Sequence, residues 1–183
     1  MSEKRYRHSL CVAKAAAALA ARYGGDEKKA YTAGLIHDIL KDMPKEALKA
    51  YIEIHIKDAD EVLLSQPALW HSVAGADYLK NELAVDDTDI LMAVRYHTSG
   101  RAHMSLLEKI VFVADFISED RDYPGVEEMR TAAMHSLESA IEEGLNFTIR
   151  ELCEKRKPIY LDTAAAYNDA VMQRLKQERE DTP

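Results

Sequence analysis

The sequence predicts an all-α fold, a bundle of about eight helices, and three observations support this prediction. Gly and Pro are scarce, at 7 and 5 of 183 residues. Ala, Leu, Glu and Lys, which favour helices, are frequent, whereas β-branched residues are sparse, which argues against an all-β sandwich or barrel. Hydrophobic residues make up 47% of the chain, so it can bury a core and is not disordered as a whole.

In the first half of the chain, apolar residues recur at helical spacing between helix caps and helix breakers. Gly24-Gly25 is a strong helix stop, Asp26 can cap the next helix, and Pro44 suits a first helical turn. Pro67 breaks the chain before a further helix begins. The predicted helices are Glu3–Tyr23, Asp26–Leu40, Pro44–Ile56, His71–Leu83 and Asp86–Tyr96.

The second half contains longer helical patterns, separated by turn residues at 121–125 and by Lys157-Pro158. The predicted helices are Ser105–Ile117, Val126–Arg156 and Thr163–Glu178. The long middle helix is expected to bend near Gly144, and the charged tail Lys176–Pro183 is expected to fray. No linker, repeat or shift in composition divides the chain, so residues 1–183 are predicted to form a single domain.

The net charge of −8 argues against a broad nucleic-acid-binding surface, because such affinity comes largely from Lys and Arg. A polyanionic substrate would therefore need a local positive site. No run of about 18 apolar residues is present, which argues against a membrane span. Cys11 and Cys153 lie far apart in a chain without a secretory pattern, so we expect reduced thiols and a cytoplasmic protein. No nucleic-acid or membrane partner is expected, and a homodimer is left open.

The candidate chemistry lies in an ordered series of histidines and acids: His8, His37-Asp38, His71, His97 and Asp115. Each histidine alone has an ordinary structural explanation, as a core residue, a cap or a residue favoured at a helix C-terminus. Four independent explanations do not account for the order, so the series favours a metal site. The histidines outside this pattern are expected at the surface or its boundary: His55, His103 and His135.

Asp115 is the most informative single residue, because it lies inside the apolar run Lys109–Ile117. A carboxylate buried in such a helix is costly unless it is paired, hydrogen-bonded or bound to a metal. A core aspartate satisfied by a helix cap or an arginine is the alternative explanation. The histidines earlier in the chain favour a metal ligand.

Imidazole and carboxylate donors without thiolates suit iron, manganese, cobalt or zinc. Such a site has room for about one or two ions and for an open position that holds water. The metal would lower the pKa of that water and stabilise negative charge on phosphoryl oxygens. The series is therefore typical of a hydrolytic metal centre.

Longer phrases in the chain are more specific than the His-Asp pair, and they are Leu69-Trp70-His71, Ala93 to Arg101, Leu107 to Asp115, and Tyr123-Pro124-Gly125-Val126. Together with the histidine and aspartate series, they resemble the YqeK-type HD-domain proteins, bacterial symmetrical bis(5′-nucleosyl)-tetraphosphatases. The similarity runs from His8 to about Asn168. The resemblance implies an HD-domain helical bundle that binds iron and splits diadenosine tetraphosphate into two ADP. It also implies a core at about 5–120, with C-terminal helices at about 125–180 completing the bundle and the product site.

The resemblance assigns roles to individual residues. The implied metal ligands are His8, His37, Asp38 and Asp115. The implied catalytic residues are Asp38, His71, His97 and Arg121. The implied nucleotide-binding residues are Asp38, His71, His97, Thr98, Asp115, Arg121, Ile159, Tyr160, Leu161, Asp162 and Thr163.

The chain departs from the family pattern at two places. Ser118-Glu119-Asp120-Arg121 stands where the family commonly has Glu-Pro-Asn-Arg, and Leu161 stands where a proline is frequent. We expect nearby cations to offset a polyphosphate: Lys41, Arg101, Lys109 and Arg121. The alternatives are a different HD-type nucleotidase or phosphodiesterase, or a non-catalytic nucleotide-binding module.

Overall fold

The computed structural model describes residues 1–180, which form ten α-helices and no β-strand, so the all-α prediction is confirmed. The helices are α1 Glu3–Tyr23, α2 Glu27–Ile36, α3 Lys45–His55, α4 Glu61–Leu64, α5 Pro67–Asn81, α6 Thr88–Tyr96, α7 Leu106–Ile117, α8 Val126–His135, α9 Leu137–Glu154 and α10 Leu161–Glu180. None of these helices is long and apolar enough to cross a membrane. Cys11 and Cys153 are free thiols.

The junction of α1 and α2 follows the predicted caps. Gly24 adopts a left-handed conformation with φ 75°, and its backbone N–H donates to the Ala20 carbonyl. The side chain of Asp26 accepts hydrogen bonds from the backbone N–H groups of Lys28 and Lys29. Gly24 adopts positive φ with little steric cost, and Asp26 caps the next helix. Together these residues turn the chain back, so that α2 packs along α1.

The predicted second helix is too long, because α2 ends at Ile36 and residues 37–42 form turns. Hydrogen bonds between residues three apart replace the helical pattern there, from Ile39 N–H to the Ile36 carbonyl and from Lys41 N–H to the Asp38 carbonyl. The apolar spacing through Leu40 continues past the true helix end. His37 and Asp38 consequently lie at a helix terminus and not inside a helix.

Other boundaries also differ from the prediction. The short α4, capped by Asp60, was not predicted. α5 begins at Pro67, four residues before the predicted start at His71, since proline is well suited to a first helical position. α10 begins at Leu161 and residues 176–180 are helical, so fraying of the tail stays a prediction, and residues 181–183 lie outside the described residues.

The predicted helix Val126–Arg156 is two helices, and the break lies at Ser136 instead of Gly144. Ser136 has an extended backbone, and its side chain accepts a hydrogen bond from the Ser139 N–H, which starts α9. Gly144 instead serves packing, because a Cβ there would lie 3.1 Å from Phe112 and 3.2 Å from Phe116. The glycine thus brings α9 close to α7.

The apolar helix α7 forms the centre of the fold and packs against α1, α2, α6, α8 and α9. Val111, Phe112 and Ala114 on this helix are fully buried. A second apolar cluster includes Ile52 of α3 and Val73 of α5. The helices α1, α2 and α6, which carry or end at His8, His37 and His97, therefore pack against α7, and α5, which carries His71, packs against α6.

Candidate metal centre

A close helix crossing positions the first histidines. A Cβ on Gly34 would lie 2.8 Å from the Cα of Ala13, so only glycine lets α2 approach α1 this closely. The crossing places His8 of α1 beside His37 at the end of α2, with ring centroids 5.3 Å apart. Both side chains are buried.

Asp38 lies at the centre of the cluster. Its Oδ1 is 3.0 Å from His71 Nε2 and 3.5 Å from His97 Nε2, and its Oδ2 is 3.5 Å from His37 Nε2. Asp115 approaches from α7, with its Oδ1 3.0 Å from His8 Nε2. The structure thus brings together the six residues of the predicted series: His8, His37, Asp38, His71, His97 and Asp115.

Potential metal ligands in this cluster fall into overlapping sets, in each of which the donor atoms lie within 4.8 Å of one another. The sets are His8, His37, Asp38; His37, His97, Asp115; and Asp38, His71, His97. His37 Nδ1 donates to the Gly34 carbonyl at 2.7 Å, and His97 Nδ1 donates to the Val94 carbonyl at 2.8 Å. These bonds leave the Nε2 lone pairs of both rings directed into the cluster.

Several atoms of the cluster are buried and make no hydrogen bond: His8 Nε2, His37 Nε2 and Asp38 Oδ1. His8 Nε2 approaches the carboxylate of Asp115 but lacks hydrogen-bond geometry to it. Buried polar atoms rarely remain without a partner. Converging nitrogen and oxygen donors of this kind fit a transition-metal ion.

The charges of the cluster also suit a cation. Burial opposes ionisation of Asp38, but the neighbouring nitrogens of His37, His71 and His97 hold its pKa well below the usual range. The pKa of Asp115 also lies well below its usual range. Burial raises it, but His8 and neighbouring positive charges lower it by more. Burial lowers the pKa of His71 to about 3 and also lowers that of His97. At neutral pH both carboxylates are therefore ionised, and His71 and His97 are neutral.

Three cationic side chains surround the acids. Arg5 donates through Nη1 to Asp38 Oδ2, and Arg121 donates through Nη2 to Asp115 Oδ1 and through Nε to the Asp115 carbonyl at 2.7 Å. Lys41 Nζ lies 3.1 Å from His71 Nε2, and burial lowers the pKa of this lysine. Arg5 was not predicted from the sequence, although its position one turn before His8 on α1 could have indicated it.

Two of the expected cations pair with carboxylates that do not belong to the cluster. Arg101 forms a pair with Glu108, whose Oε2 is 2.7 Å from Arg101 Nη2, and Lys109 pairs with Glu138 at 3.3 Å. Each of these charges is already balanced by a carboxylate on a neighbouring part of the fold. The expectation that Arg101 and Lys109 offset a polyphosphate stays a prediction.

The remaining predicted residues lie beside the cluster or at the start of α10. Thr98 Oγ1 is 3.3 Å from His71 Nε2. The segment 159–163 packs near α5, since the Pro158 carbonyl accepts a hydrogen bond from Gln66 and Tyr160 contacts the apolar cluster of α3 and α5. Thr163 is buried, whereas Leu161 is 70% exposed. In the part of the chain described, no hydrogen bond or ion pair joins residues 159–163 to the six residues of the cluster.

His55, His103 and His135 are exposed, as expected. A separate cavity of about 680 Å³ lies between α8, α9 and the turn at Tyr123-Pro124-Gly125, and none of the predicted site residues lines it.

The chain matches the HD domain family over residues 5–120. It is 41% identical to a symmetrical bis(5′-nucleosyl)-tetraphosphatase of Halalkalibacterium halodurans over 94% of this chain and 92% of the relative. It is 42% identical to the Bacillus subtilis protein of the same name, over 92% of this chain and 90% of the relative. The Staphylococcus aureus protein of that name is 36% identical, over 92% and 87%.

A solved structure, described as a predicted HD superfamily hydrolase involved in NAD metabolism from Clostridium acetobutylicum, is also similar. It has a TM-score of 0.90 and 36% identity, and the match covers 94% of this chain and 92% of that one. The family match falls on the helices that build the cluster of histidines and aspartates. The chain belongs to the HD-domain family and, within it, to the family of the symmetrical bis(5′-nucleosyl)-tetraphosphatases.

Proposed function

We propose that this protein is a metal-dependent hydrolase that splits diadenosine tetraphosphate symmetrically into two ADP. The observation that carries the proposal is the convergence of four histidines and two aspartates around buried donor atoms that lack hydrogen-bond partners. The names of the relatives supply the substrate class. Such a cluster suits phosphoric anhydride hydrolysis, in which positioning and electrostatics provide most of the catalysis.

The proposed ligands are His8, His37, Asp38 and Asp115, and the proposed metal is iron, with manganese, cobalt and zinc as alternatives. When bound, the metal lowers the pKa of a water molecule and withdraws charge from phosphoryl oxygens. Asp115 is the ligand that keeps part of its side chain, 20%, exposed. We therefore place the open position of the site, and the approach of substrate, on the side of Asp115.

The other residues of the cluster handle the phosphates. Asp38 orients the attacking water, because its carboxylate is ionised and lies among the imidazole nitrogens; a pKa held this low makes it a weak acceptor of the water's proton. His71 and His97 contact phosphate oxygens as neutral rings and not as proton donors, because burial lowers the pKa of both. Lys41, beside His71, and Arg121, beside Asp115, stabilise the charge that develops during cleavage.

The bound ADP half would be held next to these groups. We propose Thr98 and Arg121 as its phosphate contacts and Ile159–Thr163 as the segment that borders its nucleoside. The hydrogen bond from Gln66 to the Pro158 carbonyl supports this placement, because it ties the segment to the start of α5, the helix of His71. In this proposal α8–α10 complete the bundle and the product site within a single domain, residues 1–183, of a cytoplasmic protein.

The test is a substrate panel with protein that has been stripped of metal and reloaded with iron, manganese, cobalt or zinc. We expect rapid hydrolysis of diadenosine tetraphosphate only after metal is restored, and none by an Asp115→Asn variant. Faster release of phosphate from mononucleotides, or of products from cyclic nucleotides, would favour a different HD-type hydrolase. Binding of nucleotides without turnover under all metals would favour a non-catalytic module.

A further inference from the structure

Asp120 contacts the Nδ1 edge of the His8 ring, which points away from the cluster. His8 Nδ1 lies 2.8 Å from Asp120 Oδ2, while His8 Nε2 faces Asp115 on the inner side. From this geometry we infer that Asp120 is a positioning residue that fixes the ring of His8 and strengthens it as a metal ligand. The inference rests on the proposed metal centre.

The carboxylate of Asp120 is itself held in place. Ser118, which is buried, donates through Oγ to Asp120 Oδ1 at 2.8 Å. Arg130 of α8 donates through Nη2 to the carbonyls of Ser118 and Arg121, at 2.9 and 3.0 Å. The loop that carries Asp120 is thus anchored at both ends, so the carboxylate presents one oxygen to His8 in a fixed direction.

A carboxylate acceptor has a specific effect on an imidazole ligand. When Nδ1–H donates to Asp120, the lone pair of His8 is on Nε2, which is the nitrogen that faces the cluster. The negative charge increases the basicity of that nitrogen and attracts a cation. His37, the other proposed histidine ligand, uses the neutral backbone carbonyl of Gly34 for the same purpose, so His8 differs from it in having a charged partner.

This contact gives a physical meaning to the altered loop Ser118-Glu119-Asp120-Arg121. An amide at position 120 could accept the same hydrogen bond but would carry no charge. The structure therefore separates two contributions of Asp120, which are the orientation of the ring and the added negative charge. Two substitutions at this position can distinguish them.

The experiment measures the dissociation constants of Mn²⁺ and Co²⁺ on the full chain by competition with a chelator, without substrate. Asp120→Ala should weaken binding by about 10- to 100-fold, the range typical for loss of such a partner. Asp120→Asn should weaken it less, because the acceptor remains. Glu119→Gln is the matched control, since it removes one charge from an exposed neighbour in the same loop and should leave both constants unchanged.

The visible absorption of the Co²⁺-loaded protein provides a second readout, because a change in the His8 ligand alters it and a merely structural role for Asp120 does not. Wild-type affinity and an unchanged spectrum in both Asp120 variants would overturn the inference and leave the proposed function standing. Should Asp120→Ala fail to fold, the near-isosteric Asp120→Asn still decides. If the wild-type chain binds neither metal, the proposed centre fails together with the inference.

Discussion

Asp38 has three imidazole nitrogens within 3.5 Å, and the histidines that supply them come from the end of α2, from α5 and from the end of α6. Two of these rings, His71 and His97, have lowered pKa values and carry no charge to offset the carboxylate, whereas the carboxylates raise the pKa of His37. A cation between these donors would satisfy the carboxylate and the free lone pairs together. The predictions at the scale of single residues follow from this arrangement.

Asp115→Asn should abolish both metal binding and turnover while leaving the fold intact. The substitution preserves the shape of the side chain but removes the charge that faces His8 and Arg121. Elemental analysis should find about one or two ions per wild-type chain and almost none in the variant. Asp122→Asn, in the exposed part of the neighbouring turn, is the control. A variant that unfolds readily yet binds metal normally would instead make Asp115 a core residue.

The histidines should separate into two groups. His8→Ala and His37→Ala should lose metal, because these rings present unpartnered Nε2 atoms to the proposed site. His71→Ala and His97→Ala should retain most of the metal but lose about 10²- to 10³-fold in kcat, as expected for groups that contact the phosphates in the transition state. The exposed His135→Ala serves as the control. Equal metal loss in all four variants would contradict these assignments and indicate a dinuclear site.

The order of the histidines and aspartates was sufficient to predict which residues meet, because each residue type has a strong chemical preference. Asp120 could not be predicted in the same way. Its contact with His8 spans 112 positions and depends on the conformation of the loop after α7. Arg5 was missed because an arginine near the start of a helix is ordinarily a solvated residue.

At the scale of the elements, the helix caps were predicted better than the break between α8 and α9. Gly24 and Asp26 end and begin helices as predicted, since their effects are local. The break at Ser136 was placed at Gly144, because a glycine within a helical pattern resembles a local weak point. Glycine at position 144 is instead explained by packing between parts of the chain distant in sequence, because Phe112 and Phe116 lie close to where a Cβ would be.

The crossing of α1 and α2 gives a prediction on stability. Gly34→Ala should destabilise the protein by about 1–3 kcal/mol, because the added Cβ would meet the backbone of Ala13 at 2.8 Å. It should also weaken metal binding, since the Gly34 carbonyl accepts the hydrogen bond that orients His37. Urea unfolding and chelator competition measure the two effects.

Gly75→Ala in α5 is the matched control, because its Cβ would meet its nearest neighbours at an ordinary 3.6 Å. A helical glycine with such space should tolerate alanine or gain about 0.5–1 kcal/mol of stability. If Gly34→Ala were as stable as Gly75→Ala, the close crossing would not be what positions His37.

At the scale of the whole molecule, the all-α class followed from composition and periodicity, whereas the mutual arrangement of the helices did not. The chain carries a net charge of −8, yet Arg5, Lys41 and Arg121 gather around two carboxylates. Arg101 and Lys109 were expected there too. Their ion pairs with Glu108 and Glu138 could not be predicted, because they depend on how the chain packs. The position of segment 159–163 beside α5 likewise depends on contacts across the fold.

The products formed from diadenosine tetraphosphate test the central claim most directly. Water held between the proposed metal ligands and the phosphate-contacting residues should attack the middle of the phosphate chain, because one nucleoside diphosphate half is fixed beside Arg121 and Thr98. Chromatography at early times, with metal-loaded protein, should therefore detect ADP as the sole nucleotide product. AMP and ATP in equal amounts would contradict symmetrical cleavage at this centre.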